Sequence, residues 1–281
     1  MSAPILYGSP RAQKGLIPKT IGNNGRTTTL GYTQRSSVNR YVIPPPPPPP
    51  SIDDAFATVV YLINATGTVN GISSDYASDI KGNPVSANDG VQSEPHDGIT
   101  KFQDFAMEGN GGVYTISSTN SVSGGTLGSG EYTVECWCYP LENGNFELLS
   151  TRASTTGDNT SGIGLMMVVD THELRISTGN TGQLATVGTP LQIGQWNHVA
   201  VTRDGSNTTR IFVNGVKGKE FLDTRNYQDQ IIYLFDARQQ SAYFGYGGAR
   251  WKGYIEDFRI TKGVARYTSN FAVPTQAFPT S

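Results

Sequence analysis

The feature that most constrains the fold is a series of short, strand-like runs that starts near residue 56 and continues to the end of the chain. The clearest run is Glu131–Tyr139, which Pro140 should end because proline cannot donate to a sheet. Side chains alternate along a strand, so this run has two faces: Tyr132, Val134, Cys136 and Cys138 on one, and Glu131, Thr133, Glu135, Trp137 and Tyr139 on the other. Such runs, 8–12 residues apart and separated by turn residues, are typical of an all-β sandwich.

Turn signals separate the other runs. Asn214-Gly215 directly follows an apolar run and predicts a hairpin, because a type I′ turn needs positive φ at both central residues. Asp204-Gly205 marks a second turn, and no amphipathic helix longer than two turns is predicted. The further strands are predicted at Phe146–Ser150, Ile163–Val169, Glu173–Ser177, Asn197–Arg203, Thr209–Val213, Ser241–Tyr246 and Tyr254–Ile260.

Composition agrees with strands and turns. Charged residues make up 16% of the chain, against about 25% in an average soluble domain, which excludes a helical bundle covered with charges. The 33 glycines and 16 prolines fall short of a low-complexity composition. Apolar runs are far shorter than the roughly 20 residues that cross a bilayer, and residues 1–20 show no export signal. We therefore expect no membrane insertion.

The first 50 residues differ from the rest. They hold six of the 21 basic residues and none of the 23 acidic ones, and their apolar residues follow no helix or strand period. Such a segment cannot bury enough apolar area to fold by itself. Residues 1–43 are predicted to be an extended basic arm that anchors the protein on a partner. Its anchoring residues would be Ile5, Leu6, Tyr7, Arg11, Lys14, Leu16, Ile17, Lys19, Arg26, Tyr32, Arg35, Arg40 and Tyr41.

Seven prolines, Pro44–Pro50, follow the arm. A proline run adopts a polyproline II helix of about 3.1 Å per residue, so residues 44–50 would form a rod of roughly 20 Å. We interpret it as a spacer between the arm and the domain at 51–281; recognition by a proline-binding module is the alternative.

Four blocks in order carry a resemblance to a known family. EYTVECWCYP, GQWNHVAVTRDGS, RIFVNGV and the closing stretch from WKGYIEDFRI to TQAFP are similar to successive strands of a laminin-G-like, concanavalin A-like jelly-roll domain over residues 56–279. The match is looser at the start, where Asn64–Gly67 replaces an expected Asp-Gly turn. The resemblance implies a lectin-like jelly-roll β-sandwich, a form frequent in surface proteins of tailed phages and marine microbes.

The same family includes glycoside hydrolases, so the carboxylates need testing. A glycosidase needs two carboxyl groups about 5–5.5 Å or 6.5–9.5 Å apart. The paired-acid strand of the hydrolases is missing from the sequence. Glu131 and Glu135 share a face but lie roughly 13 Å apart, and Glu256 and Asp257 should point to opposite faces. We expect no enzyme.

Metal binding is not favoured by the remaining candidates. Cys136 and Cys138 are read as buried free thiols, since their Cα atoms sit at the limit for a disulfide. His198 is expected to pack against neighbours rather than bind a metal. No cofactor is predicted; calcium at Asp158 and Asn159 is the one metal site considered, with ordinary loop polarity as the alternative.

Glycan binding requires an aromatic ring beside a few polar groups. Two sets of residues could supply this: Trp137 with Tyr139 on the outward face, or the cluster Tyr243, Tyr246, Arg250 and Trp251. Trp251 begins the family's closing block, so packing in the core is its alternative role.

The sequence thus favours a non-enzymatic virion protein of a tailed phage, either a capsid decoration protein or a tail or fibre component. It would be assembled in the host cytoplasm, bind other virion proteins through residues 1–43 and form homo-oligomers there. Its lectin-like domain would adhere to host-surface glycans, and no nucleic acid partner is expected. The alternative is a microbial carbohydrate-binding module or a protein related to glycoside hydrolases.

Overall fold

A computed structural model describes residues 53, 55–65, 77–81, 85–88, 91–94, 99–103, 106–110, 113–117, 126–151, 162–178, 182–228, 231–235 and 251–281. They all belong to one unit, Pro48–Ser281. The predicted arm and proline linker, Asp158, Asn159, Tyr243, Tyr246 and Arg250 lie outside these residues. Within this described part, no helix is long and apolar enough to span a membrane.

The described residues form strands and one short 3₁₀ helix, Phe56–Thr58. The strands are β1 (Val59–Ala65), β2 (Ala77–Asp79), β3 (Val85–Asn88), β4 (Val91–Glu94), β5 (Ala106–Asn110), β6 (Val113–Ser117), β7 (Tyr132–Pro140), β8 (Phe146–Ser150), β9 (Ile163–Met167), β10 (Glu173–Thr178), β11 (Gly182–Pro190), β12 (Asn197–Arg203), β13 (Thr208–Val213), β14 (Val216–Leu222), β15 (Ile231–Leu234) and β16 (Lys252–Lys262).

The strands make two antiparallel sheets, which confirms the predicted all-β sandwich. A nine-stranded sheet has the order β14-β13-β12-β7-β16-β1-β2, with β5 also pairing with β16 and β4 pairing with β5. A seven-stranded sheet has the order β11-β10-β9-β8-β15-β6-β3. The central position of β7, β12 and β16 places their residues at the middle of the larger sheet.

The core lies between the sheets. The face of β7 with Val134, Cys136 and Cys138 packs there, against residues of the smaller sheet such as Leu149 and Leu165. The predicted alternation of β7 is therefore confirmed, and both cysteines are buried and free. Burial raises the pKa of both thiols. At Asn214-Gly215 the predicted hairpin turn has φ values of 51° and 76°.

A C-terminal strap, residues 263–281, follows β16 and runs over the other face of the nine-stranded sheet, which we call the outer face. Thr133 Oγ1 donates to the carbonyl of Val264 (2.9 Å), and Thr202 Oγ1 donates to that of Tyr267 (2.7 Å). Further along, the N–H of Phe271 donates to Gly215 O (2.9 Å). The strap therefore covers part of the face that a bare sandwich would expose.

Candidate functional site

The outer face carries the side chains that sequence analysis considered for chemistry. Glu135 and Trp137 of β7, His198 of β12 and Arg259 of β16 all project there, opposite the core face. Among the residues that the structure describes, the strap covers one part of this face and does not cover the part next to Tyr139 and Pro140.

Glu135 is the centre of the covered part. Its Oε1 accepts hydrogen bonds from Arg259 Nη2 (2.7 Å) and Nε (3.0 Å), and its Oε2 accepts one from the Tyr267 hydroxyl (2.8 Å). His198 Nε2 lies 3.3 Å from Oε2. Burial by itself would raise the pKa of Glu135, but the charge of Arg259 and the contacts with His198 and Tyr267 together outweigh it and hold that pKa at about 2. Glu135 is thus a buried, ionised anchor.

Asp53 ties the start of the domain to the same cluster. Its carboxylate accepts two bonds from the Arg266 guanidinium (2.9 and 2.8 Å) and one from Arg259 Nη1 (3.1 Å). Burial opposes ionisation here as well, yet the hydrogen bonds and charge of Arg266, together with the charge of Arg259, leave the pKa of Asp53 lowered. Residue 53 and the strap are consequently held together beside the Thr133 end of β7.

Glu256 and Asp257 differ from the expectation that they point to opposite faces. A β-bulge interrupts the pairing of β16 with β7 between Glu256 and Arg259, and Asp257 has φ 50°. The extra residue breaks the alternation, so both carboxylates reach Gln103: its N–H donates to Glu256 (3.3 Å) and its side-chain amide to Asp257 (3.3 Å). Adjacent acids therefore share one side of the sheet.

Both acids are nevertheless occupied by backbone donors. Glu256 also accepts the N–H groups of Lys101 (2.5 Å) and Phe102 (2.8 Å), and Asp257 accepts that of Phe278 in the strap (2.9 Å). Burial raises the pKa of each carboxyl. Their observed role is to fasten loop 99–103 and the strap onto the sheet.

His198 packs as the sequence predicts. It is fully buried, and its ring makes edge contacts with Trp137, Tyr267, Phe271 and Phe278 at centroid distances of 5.2 to 6.3 Å. The residues that the structure describes include no group of three or more His, Cys, Asp or Glu placed to hold a metal ion.

Trp137 and Trp251 are glycan-stacking candidates in the sequence, but the structure buries both rings. Trp137 does lie on the outer face but is only 3% exposed, because Phe102 packs edge-on against it (5.6 Å) and the Lys101 ammonium sits 4.3 Å from its ring centroid. Trp251 is fully buried within the core cluster, its alternative role. Neither ring has a free face for a sugar.

Tyr139 belongs to the second part, which we call the rim: Tyr139, Leu141, Trp196, the buried Tyr254 and the pair Glu142–Lys252. The Tyr139 ring is half-buried and makes edge contacts with Trp196 (5.6 Å) and Tyr254 (6.1 Å). Leu141 is 43% exposed beside them. The Lys252 ammonium contacts the Glu142 carboxylate at 2.7 Å, and both side chains are half-exposed.

The loop before β12 fixes Trp196 in place. The buried Asn197 amide donates to the carbonyls of Gln192 (3.0 Å) and Gln195 (2.8 Å) and accepts the N–H of Gln192 (3.0 Å). Gly194 turns the chain at φ 70°, and its N–H donates to Pro140 O (2.8 Å). Trp196 is not among the candidate site residues predicted from the sequence. The signal that indicates it is its position one residue before a strand and after a glycine turn.

Comparison with known proteins agrees with this architecture. A family model described as the concanavalin A-like lectin/glucanases superfamily matches residues 109–266. The binding domain of Paraclostridial Mosquitocidal Protein 1 is similar in fold, with a TM-score of 0.53, 13% identity, and coverage of 74% of this chain and 49% of that chain. No curated protein sequence gives a significant match.

A structure of botulinum neurotoxin type C, whose cell entry depends on interaction with two ganglioside molecules, gives a TM-score of 0.47 at 11% identity, covering 74% of this chain and 48% of that one. The chain spans about half the length of both structures. At these identities the likeness concerns the fold.

Proposed function

Because the chain belongs to the concanavalin A-like lectin/glucanase superfamily, we propose that it is a non-catalytic adhesion protein that binds a glycan at the rim. Residues 1–43 would anchor it to a tailed-phage particle, on the capsid or the tail. The observation that carries the proposal is the pre-organised aromatic pair of Tyr139 and Trp196, which is half-buried on a face whose other half the strap covers.

A non-catalytic role is supported by the state of the outer-face acids. Glu135, Glu256 and Asp257 are each at most 1% exposed. A glycosidase needs one carboxyl to protonate the leaving group and another to attack or activate water, so both must touch the sugar. Here the strap and loop 99–103 cover these groups, and arginine, tyrosine or backbone donors occupy their oxygens.

Glycan binding is supported by the chemistry of the rim. Sugars bind where an aromatic ring meets their apolar C–H face and nearby polar groups bind their hydroxyls. Tyr139, Trp196 and Leu141 provide the apolar surface, and the exposed amides of Gln192 and Gln195 stand in the same loop as Trp196. Asn197 already orders that loop through three hydrogen bonds, so the loop would lose little conformational entropy on binding a sugar.

The position of Asp53, near the start of the domain, supports a glycan site that lies far from the anchoring residues. Asp53 is bound beside Thr133, whose hydroxyl accepts the N–H of Arg266, the partner of Asp53. Tyr139 lies six residues further along β7, which corresponds to roughly 20 Å of extended strand. The rim is thus at the other end of β7 from Asp53, the third residue after the proline run.

The glycan site is tested with Trp196→Ala. Binding of the purified protein to a glycan array should be lost, because the ring that would stack on the sugar is removed. Leu222→Ser is the matched control, since Leu222 is 70% exposed on the edge strand β14 and its replacement should leave binding unchanged. Equal binding by wild type and Trp196→Ala would exclude the rim.

The anchor is tested in assembled particles. Exposed ion pairs contribute only about 0–1 kcal/mol each and weaken with salt, whereas a buried aliphatic side chain contributes roughly 1.5–3 kcal/mol. The Leu16→Asp, Ile17→Asp double variant should therefore be missing from purified particles. Lys14→Ala with Lys19→Ala should still be incorporated and survive high-salt washing; the reverse pattern would identify an electrostatic tether. Deletion of residues 1–43 should leave a folded domain that no longer joins the particle.

A further inference from the structure

Asp53, the third residue after the proline run, is clamped to the nine-stranded sheet. Its side chain is 7% exposed, and its carboxylate accepts hydrogen bonds from both Arg266 and Arg259. Its backbone carbonyl also accepts the N–H of Phe56 (2.7 Å). Arg259 in turn donates two hydrogen bonds to Glu135 of β7. Two successive side-chain contacts, which we call the Asp53 clamp, therefore connect the start of the domain to the strand that ends at the rim.

The strands follow the same route as the clamp. β1 pairs with β16, where Val59 lies opposite Thr261, and β16 pairs with β7, where Thr261 lies opposite Thr133. Both pairings are antiparallel, so β1 and β7 run in the same direction, away from the end of the sheet at which Asp53 is bound. The three strands therefore lie along the direction that leads from Asp53 to Tyr139 at the rim.

This arrangement determines how the domain responds to a pulling force. Hydrogen bonds between antiparallel strands are perpendicular to the strands, so a force along the strands loads all the bonds of a pairing together. A pull between the N-terminal segment and the rim is of this kind, because it slides β1 along β16 and β16 along β7. The strap is held by separated contacts, such as the N–H of Phe278 on Asp257 (2.9 Å) and that of Phe271 on Gly215 O (2.9 Å). A pull on the end of the strap therefore breaks its contacts one after another.

We infer that the domain is a mechanical link, which carries force between the N-terminal segment and the rim in shear through β1, β16 and β7 and resists it first at the Asp53 clamp. The inference rests on the proposed function, because an anchor at one end and a bound glycan at the other would apply this force. It gives the covered half of the outer face a role beyond stability: Arg259 and Arg266 hold the chain at the point where the force enters the domain.

Single-molecule force spectroscopy on the full-length chain tests the inference. One handle is attached at the N-terminus and the other at an introduced cysteine, either Leu141→Cys at the rim or Thr280→Cys in the strap, both at exposed positions. Cys136 and Cys138 are buried, and protein without an added cysteine should not attach. At one loading rate, the first rupture with the rim handle should need at least about twice the force that the strap handle needs, because the bonds of a strand pairing are loaded together. Equal forces, or a lower force with the rim handle, would overturn the inference.

Variants in the rim-handle geometry test the clamp. Asp53→Ala removes it and should speed unfolding at constant force by about tenfold or more, since forced unfolding is governed by the unfolding rate. Asp53→Asn keeps the shape of the side chain without its charge and should give a smaller acceleration, which keeps the test valid if the alanine variant does not fold. Asp204→Ala is the matched control, because it breaks an ion pair with Arg210 that lies outside the β1–β16–β7 route. Equal rates in the Asp53 and Asp204 variants would overturn the role of the clamp.

Glycan binding is measured separately, so this inference and the proposed function can fail independently. Equal rupture forces in the two geometries, together with loss of glycan-array binding in Trp196→Ala, would refute the mechanical role and support the rim as the glycan site. The expected difference in force, together with unchanged array binding in Trp196→Ala, would support the force path and refute the rim as the glycan site.

Discussion

The two halves of the outer face are built on the same strands but differ in how far their side chains are buried. Around Glu135 the strap buries an ion network under Tyr267 and Phe278, whose ring lies 3.7 Å from the Arg259 guanidinium. Around Tyr139 the rings of Tyr139 and Trp196 are half-buried, and the Glu142–Lys252 ion pair is half-exposed. The difference separates two tasks: the covered half holds the domain together, and the rim half is available for recognition.

Glu135→Ala, in the covered half, should lower the free energy of unfolding strongly and so gives the sharpest test of this comparison. Removing one partner of a buried pair costs about 3–5 kcal/mol; here the buried Arg259 would lose two of its hydrogen bonds and keep only Asp53 as a counter-charge. Glu142→Ala is the matched control at the rim and should cost about 0–1 kcal/mol, as exposed pairs do. Urea unfolding measures both values. Similar losses in the two variants would show that the covered network does not stabilise the fold more than the rim pair.

The pH dependence of the unfolding free energy below pH 7 tests the same difference between the two halves. The pKa of Glu135 falls from 4.5 to about 2 on folding, so its contribution is complete above pH 4.5 and is lost as the pH falls through 2. That shift corresponds to roughly 3 kcal/mol. The raised pKa values of Glu256 and Asp257 act in the opposite sense, giving stability at low pH that is lost as the pH rises through their folded pKa values.

The difference between wild type and Glu135→Gln isolates the first effect. Unfolding free energies measured from pH 7 to pH 2 should converge as the pH falls, since the amide does not titrate and wild type loses its charged anchor. Curves that stay parallel over this range would mean that Glu135 is not ionised in the folded protein.

Sequence reasoning succeeded where the signal was local. The bounds of β8 and β12 were predicted to the residue, and the Asn214-Gly215 turn has the expected φ values. It missed β14, where Lys217, Lys219 and Glu220 obscure the alternation of an edge strand. Edge strands commonly carry such charges because they protect against further pairing. Alternation is informative only where one face is buried.

The site was less predictable because burial on the outer face is decided by distant residues. Alternation correctly assigned Trp137 to the face opposite the core, but residues 101 and 102 cover it. The bulge at Asp257 is another non-local feature, since nothing in the letters Glu-Asp indicates a left-handed residue. Trp196, by contrast, could have been found from its place at the end of a turn.

Tyr267→Phe should have a smaller effect and tests the strap alone. It removes the hydroxyl that donates to Glu135 Oε2 but keeps the ring, which stacks on Phe271 at 3.6 Å. A hydrogen bond to a charged group contributes about 1.5–3 kcal/mol, so the unfolding free energy should fall by about 2 kcal/mol. Tyr139→Phe at the rim is the control and should change stability by less than 0.5 kcal/mol, in the range of surface substitutions. Equal effects would place the strap's contribution outside this hydrogen bond.

Trp196→Ala should have a small effect on stability and the largest on recognition. Its ring is half-buried and makes an edge contact with Tyr139, so its removal should cost about 1 kcal/mol, in line with an aromatic pair. Trp137→Ala, at 3% exposure, is the matched change in the covered half and should cost about 3–5 kcal/mol. Thermal and urea unfolding give the two values, and the glycan array gives binding. If Trp196→Ala destabilised the protein as much as Trp137→Ala, the rim ring would be a packing residue, and its loss of binding would follow from unfolding rather than from a missing sugar contact.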